Sequence, residues 1–143
     1  MAGFLLRNGN FTTYAHPDAV AANKMSCGMG IDPQGDIVGH YQDGSGIHGY
    51  LLNEAGFTAI EIPGGKGVQA YGINPAGEIV GFYTELATNR VRGFVRDKWE
   101  GLTFPIDFPG AVNTAVRRNN PRGDLVGSYT DPLGTQHGFL FKR

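Results

Sequence analysis

The sequence predicts an all-β fold of about three four-stranded antiparallel repeats, each resembling a propeller blade. Three observations predict it. Gly3-Phe4-Leu5-Leu6, Gly49-Tyr50-Leu51-Leu52, Gly93-Phe94-Val95-Arg96 and Gly138-Phe139-Leu140-Phe141 recur at spacings of 46, 44 and 45 residues, and a fixed period of that length marks a repeat architecture. Gly35-Asp36-Ile37-Val38-Gly39, Gly77-Glu78-Ile79-Val80-Gly81 and Gly123-Asp124-Leu125-Val126-Gly127 keep the same phase, preceded by Pro33, Pro75 and Pro121. Finally, 23 glycines and 8 prolines in a chain of 143 residues that is still 41% hydrophobic describe many short strands joined by tight turns.

Each repeat reads as four strands, a to d. Strand a carries Tyr71-Gly72-Ile73 and turns through Asn74-Pro75-Ala76-Gly77, where proline presets one turn dihedral and glycine supplies a permissive one. Strand b, Glu78-Ile79-Val80-Gly81-Phe82-Tyr83, is apolar at successive positions and so should be covered on both faces. A polar loop, Thr84 to Arg92, leads to strand c, Gly93-Phe94-Val95, which has the same two-faced character. Strand d alternates, with Ile60 and Ile62 flanking Glu61 and Ile106 and Phe108 flanking Asp107, as an outer strand with one wet face does. Phe104-Pro105 adds a residue and a proline to the later copy of d, which fits a bulge on an edge strand.

The strand order is c-d, then a-b-c-d twice, then a-b-c. This predicts a single repeat domain over residues 1–143, with units at about 3–48, 49–92 and 93–137 and an extra strand at 138–143. Three blades are fewer than the 4–8 that usually close a propeller. The expected partner is therefore a second copy, completing a ring of about six blades and covering apolar faces at both ends. A β-trefoil or a three-sided β-prism is the alternative for three repeats. Trefoil barrel strands need one exposed face, however, and b and c have none.

The run His48-Gly49-Tyr50-Leu51-Leu52, Gly56-Phe57-Thr58-Ala59-Ile60, Ile62-Pro63-Gly64, Gly72-Ile73-Asn74-Pro75 and Gly77 to Tyr83 resembles the tandem repeats of bacterial HAF-type extracellular repeat proteins, over essentially the whole chain. The resemblance implies export and a propeller-like fold. It brings no catalytic residues with it.

Charge narrows the partners. Twelve Lys+Arg against thirteen Asp+Glu give a net charge of -1, which supplies no field for holding nucleic acid or an acidic membrane surface. Met1 to Arg7 has too short an apolar run for a signal peptide, and no apolar stretch reaches membrane-span length. Cys27 is alone, so neither an internal disulfide nor a cysteine-based metal site is expected. No phosphate-cradling, nucleophile-elbow or paired-histidine motif is present, so no cofactor or metal is expected; Gly64-Gly65-Lys66-Gly67 reads as a turn.

Residues repeated in every copy belong to the fold, so candidate function lies in copy-specific departures. Asp36, Glu78 and Asp124 read as turn acids, and Tyr41, Tyr83 and Tyr129 as rings packing beside Gly39, Gly81 and Gly127. His48 and His137, with Arg92 in the other copy, read as loop-capping donors. The departures are His16, where other copies have Ile62 and Phe108; His40, against Phe82 and Ser128; Lys24, at the end of a four-residue insertion; and Arg117-Arg118-Asn119, against Tyr71-Gly72-Ile73. The expectation is a non-enzymatic module that uses these residues to bind a small molecule, glycan or protein. The competing readings are a small enzyme using His16, His40, Arg117 and Arg118, or a purely structural assembly unit.

Overall fold

The computed structural model describes residues 1–143. Strands β1 (Gly3–Arg7) and β2 (Asn10–Tyr14) form a two-stranded hairpin, sheet I. A short helix, α1 (Pro17–Ala21), leads to sheet II: β3 (Ser26–Ile31), β4 (Ile37–Gln42), β5 (Ile47–Asn53) and β6 (Gly56–Ile60). Sheet III contains β7 (Gly65–Ile73), β8 (Ile79–Glu85), β9 (Val91–Arg96) and β10 (Leu102–Ile106). Sheet IV contains β11 (Asn113–Asn119), β12 (Leu125–Thr130) and β13 (Gln136–Phe141). Every pairing is antiparallel between sequence neighbours, so each sheet is an open meander and no trefoil barrel is formed.

Two-faced strands dictate the stacking. Successive side chains of a strand point to opposite faces, so Ile37 and Val38 of β4 enter different core layers, as do Ile79 and Val80 of β8 and Phe94 and Val95 of β9. Sheet II presents Ile37, Tyr41 and Tyr50 to Ala19 of α1 and to Tyr14. Its other face sets Val38 and Ile60 against Val68, Ile79, Tyr83 and Phe94 of sheet III. The far face of sheet III sets Val80 and Val95 against Val116 and Leu125 of sheet IV. Each fully buried side chain of this kind contributes roughly 1.5–3 kcal/mol. The core is thus three layers between four sheets, and the first strands β3, β7 and β11 adjoin along one edge.

One local arrangement recurs in all three larger sheets. The first strand bulges between Gly28 and Gly30, between Ala70 and Gly72, and between Val116 and Arg118, opposite Gly39, Gly81 and Gly127. A Cβ on those glycines would overlap the carbonyl oxygens of Cys27, Gln69 and Ala115. It would also stand 2.8–3.0 Å from the rings of Tyr50, Phe94 and Phe139 on the third strand. Tyr50 adds a hydrogen bond, donating its hydroxyl to Cys27 O at 2.9 Å. The rings over the glycines therefore come from the third strand. Tyr41, Tyr83 and Tyr129, expected there, pack on His16, Phe104 and Phe108 instead.

The turn after each first strand also repeats. Gly35, Gly77 and Gly123 take positive φ, and Asn74 Oδ1 accepts from the backbone N–H groups of Ala76 and Glu78 at 3.1 and 3.0 Å. The repeated acids close these turns: Asn74 Nδ2 donates to Glu78 Oε1 at 3.0 Å and Asn120 Nδ2 to Asp124 Oδ2 at 2.8 Å. Sheet II has Asp32 at this position, which cannot donate, and burial together with the facing Asp32 carboxylate raises the pKa of Asp36.

Two sequence expectations shift. Strand d ends at Ile60 and Ile106, so Glu61-Ile62 and Asp107-Phe108 lie just beyond it, although the alternation of burial is kept. The strand β7 starts at Gly65, leaving only Gly64 of the glycine-rich stretch in the turn. The four-residue insertion ends α1 and forms the turn after it, where Lys24 N donates to Ala19 O at 2.8 Å. The expected bulge at Phe104-Pro105 is present, between Thr103 and Ile106.

The close approach at the bulge glycines gives a direct test. Gly81→Ala should lower stability by about 3 kcal/mol, because a backbone carbonyl cannot move aside as a side-chain tip can. Gly44→Ala, which meets no atom within 4 Å, should be close to neutral. Urea unfolding of both variants measures the difference; equal values would refute the packing role.

Candidate functional site

A bulge leaves one residue of the strand unpaired and re-aims its side chain. In β3, β7 and β11 that residue is Met29, Tyr71 and Arg117, equivalent positions on successive sheets. The chain has placed a thioether, a phenol and a guanidinium at one structural position along the first-strand edge.

Tyr71 is the centre of the resulting cluster. Its ring lies 5.2 Å from that of Phe82 and 6.1 Å from that of His40, which reaches it from sheet II. From sheet IV the Arg117 guanidinium sits over both aromatic rings, 4.8 Å from the centroid of Tyr71 and 4.7 Å from that of Phe82. The Arg118 guanidinium lies 5.9 Å from the Tyr71 ring and donates to Tyr71 O, and to Arg117 O at 2.9 Å. A stacked guanidinium is attracted by the ring quadrupole and keeps its in-plane N–H groups free. Neither arginine has a carboxylate partner, whereas Arg96, Arg122 and Arg143 each have one and Arg92 has two.

The fold explains why an arginine fits at position 118. At the equivalent places, a Cβ on Gly30 would meet Tyr71 O at 3.1 Å and one on Gly72 would meet Arg118 Cα at 3.2 Å, because a further sheet packs there. Nothing packs in that way on Arg118 of sheet IV, whose side chain is exposed.

Of the six sequence candidates, the structure brings His40, Arg117 and Arg118 together and leaves three outside. Asn119 ties sheet IV to the turn of sheet III, donating Nδ2 to Glu78 O at 2.9 Å. His16 is a ring in the place of a ring. It stacks on Tyr41 at 3.6 Å with 3° between the planes, as Phe108 stacks on Tyr129 at 3.7 Å and 4°. Lys24 is exposed after α1, on the opposite side of sheet II from Tyr71.

His48, Arg92 and His137 are each held by an acid between the second and third strands or at the end of the second: Asp43, Glu85 and Asp131, at 3.1, 3.5 and 2.8 Å. Ser45 stands 2.9 Å from His48 Nε2, which places a serine, a histidine and an aspartate together. The geometry is not that of a catalytic triad. Asp43 bonds the same Nε2 and also accepts from Ser45 Oγ at 2.7 Å, whereas a triad carboxylate holds the other ring nitrogen. Bonds from the Ser45 hydroxyl and backbone N–H hold the Asp43 carboxyl down at about 2, so it is a loop cap.

A crevice of about 760 Å³ opens beside this loop, between sheets II and III, with Glu61, Lys66 and Thr84 on its wall. Sequence reasoning missed it. In sheet III the equivalents of His48 and Glu61, Arg92 and Asp107, are joined at 2.5 Å, and only that difference in reach between histidine and arginine could have signalled an open site. No group of three or more His, Cys, Asp or Glu side chains is gathered to hold a metal ion, and no helix is long and apolar enough to cross a membrane. No family model, curated protein or solved structure matches the chain.

The pH response of the cluster follows from His40. Its ring is buried, Nδ1 has no hydrogen-bond partner, and burial lowers its pKa below the ordinary 6.5. A histidine with a depressed folded-state pKa contributes stability that is complete above 6.5 and is lost as pH falls toward the folded value, since the unfolded chain takes the proton first. His16 shifts the same way, again through burial. Thermal midpoints should therefore fall between pH 7 and pH 5, and His40→Phe, the residue of sheet III, should flatten that slope. An unchanged slope in the variant would remove His40 from the account.

Proposed function

We propose that this chain is a non-enzymatic, propeller-type repeat module that binds a carboxylate-bearing small molecule or acidic glycan at the first-strand edge of its sheets. One observation carries the reading: Arg117 and Arg118 stand side by side on an aromatic platform with their charge unanswered by any carboxylate of the chain. Arg7 and Arg90 form no ion pair either, but they are exposed and neither stacks on a ring. Stacking fixes the Arg117 plane before a ligand arrives, which lowers the ordering cost of binding. A planar guanidinium also matches a carboxylate with two parallel hydrogen bonds.

What supports a binding role over catalysis is the kind of group at the edge. Tyr71, Phe82, Arg117 and Arg118 hold and orient, through ring faces and guanidinium N–H donors. His40, the titratable member, is pushed toward the neutral form and buried behind the Tyr71 ring. The family resemblance, with its implication of export, is consistent with acidic extracellular glycans as ligands.

Calorimetric titration with citrate, with inorganic phosphate and with a uronic-acid oligosaccharide tests the reading. At least one carboxylate ligand should bind more tightly than phosphate. Replacing the pair by the residues of sheet III, Arg117→Tyr with Arg118→Gly, should weaken binding at least tenfold, about 1.4 kcal/mol, with the fold retained. Absence of binding by every anion, or undiminished binding by the variant, would reject the site.

A further inference from the structure

The crevice between sheets II and III has a filled counterpart one repeat further along. In sheet III the Arg92 guanidinium spans from Glu85, at the end of β8, to Asp107, just beyond β10, at 3.5 and 2.5 Å, and its side chain is only 15% exposed. Sheet II repeats both acids, as Asp43 and Glu61, and repeats Tyr83 as Tyr41. Between the acids it has the shorter His48, which meets Asp43 at 3.1 Å and stays 37% exposed. Glu61 forms no ion pair and faces the crevice. A second shortening widens the space. Asn113 of sheet IV accepts from Val91 N at 2.8 Å, bridging to sheet III beside Arg92. Gly67 stands at the equivalent point of β7 and has no side chain to reach across. A bulge between Lys66 and Gln69, which β3 and β11 lack, re-aims this stretch of β7. Lys66 lies on the crevice wall, with no acid paired to it. The local field agrees. Burial raises the pKa of Tyr83, as do Glu85 and Asp107, while Arg92 opposes them; burial raises that of Tyr41, followed by Asp18, Asp43 and Glu61, and no cation opposes these.

We propose that this crevice is a second binding site, for a small amino acid that carries a guanidinium at one end and a carboxylate at the other, arginine being the simplest. The ligand's guanidinium takes the place that Arg92 fills in the next repeat and pairs with Glu61, since a planar guanidinium matches a carboxylate with two parallel hydrogen bonds. Its methylene stem lies along Ile60, Ile62 and Leu102, which line the same crevice. Its carboxylate meets Lys66. The occupant follows from the chain's own filled copy and from charge: Glu61 and Lys66, unpaired on one wall, are the complements of the two ends of a zwitterion. The volume of about 760 Å³ admits a whole amino acid. This site is separate from the Arg117–Arg118 edge, and it does not rest on the reading of that edge.

Titration followed by amide NMR shifts tests the site. Arginine at millimolar concentration should move the signals of Gly46, Gly67 and Thr84. Citrulline, which keeps the shape but not the charge of the guanidinium, and agmatine, which is arginine without its α-carboxylate, should each bind more weakly. Glu61→Gln, at an exposed position, should weaken arginine binding by roughly tenfold or more with the fold retained. His48→Arg, the residue of sheet III, should abolish binding by filling the site from within. The Arg117→Tyr, Arg118→Gly variant should bind arginine as the wild type does, which separates this site from the edge. Absence of shifts with arginine would overturn the proposal. So would citrulline or agmatine binding as tightly as arginine, undiminished binding by Glu61→Gln or His48→Arg, or loss of binding in the Arg117 and Arg118 variant.

Discussion

Everything in this molecule rests on three glycines at which three strands come closer than side chains would permit. At Gly39, Gly81 and Gly127 a bulging first strand presses its carbonyl onto bare backbone from one side, and a third-strand ring covers the same spot. Dispersion attraction falls off steeply with separation, so this approach is worth more than a looser contact of equal area. It also fixes register, because the bulge can sit only opposite the glycine.

The bulge links packing to function. By leaving Met29, Tyr71 and Arg117 unpaired, it frees their side chains, and those of Tyr71 and Arg117 reach the preceding sheet. The outcome then depends on what lies beyond. At Gly30 and Gly72 the backbone of the adjacent sheet comes within 3.1–3.2 Å of a Cβ and the edge is closed; at Arg118 the side chain is exposed and charge collects. Cationic exposure at the edge thus goes with Arg118 standing where the equivalent glycines of sheets II and III are covered.

The parts of this architecture legible in the sequence were those written in chain-local pattern. The Pro-x-Gly turns, the two-faced runs such as Ile79-Val80 and the order c-d, a-b-c-d twice, a-b-c all reappear in the sheets. Relations between strands were not legible. Nothing near Gly81 announces that the ring over it is Phe94 and not Tyr83, since cross-strand register decides this. His16 looked like a titratable departure, yet it stacks as Phe108 does, a likeness visible only when both rings are seen on their tyrosines. The substitution of glycine by Arg118 looked unexplained by the fold, and it goes with an exposed site where the equivalent Gly30 and Gly72 are covered. His40, Arg117 and Arg118 did converge, because they occupy neighbouring repeat positions.

The central claim is that glycine, first-strand carbonyl and third-strand ring act as one unit. A double-mutant cycle between Gly81→Ala and Phe94→Leu measures it most directly, because residues that share a contact do not contribute independently. The account predicts a coupling of at least about 1 kcal/mol, the second substitution costing less once the first has opened the contact. Additivity within roughly 0.3 kcal/mol, the behaviour of distant sites, would contradict it.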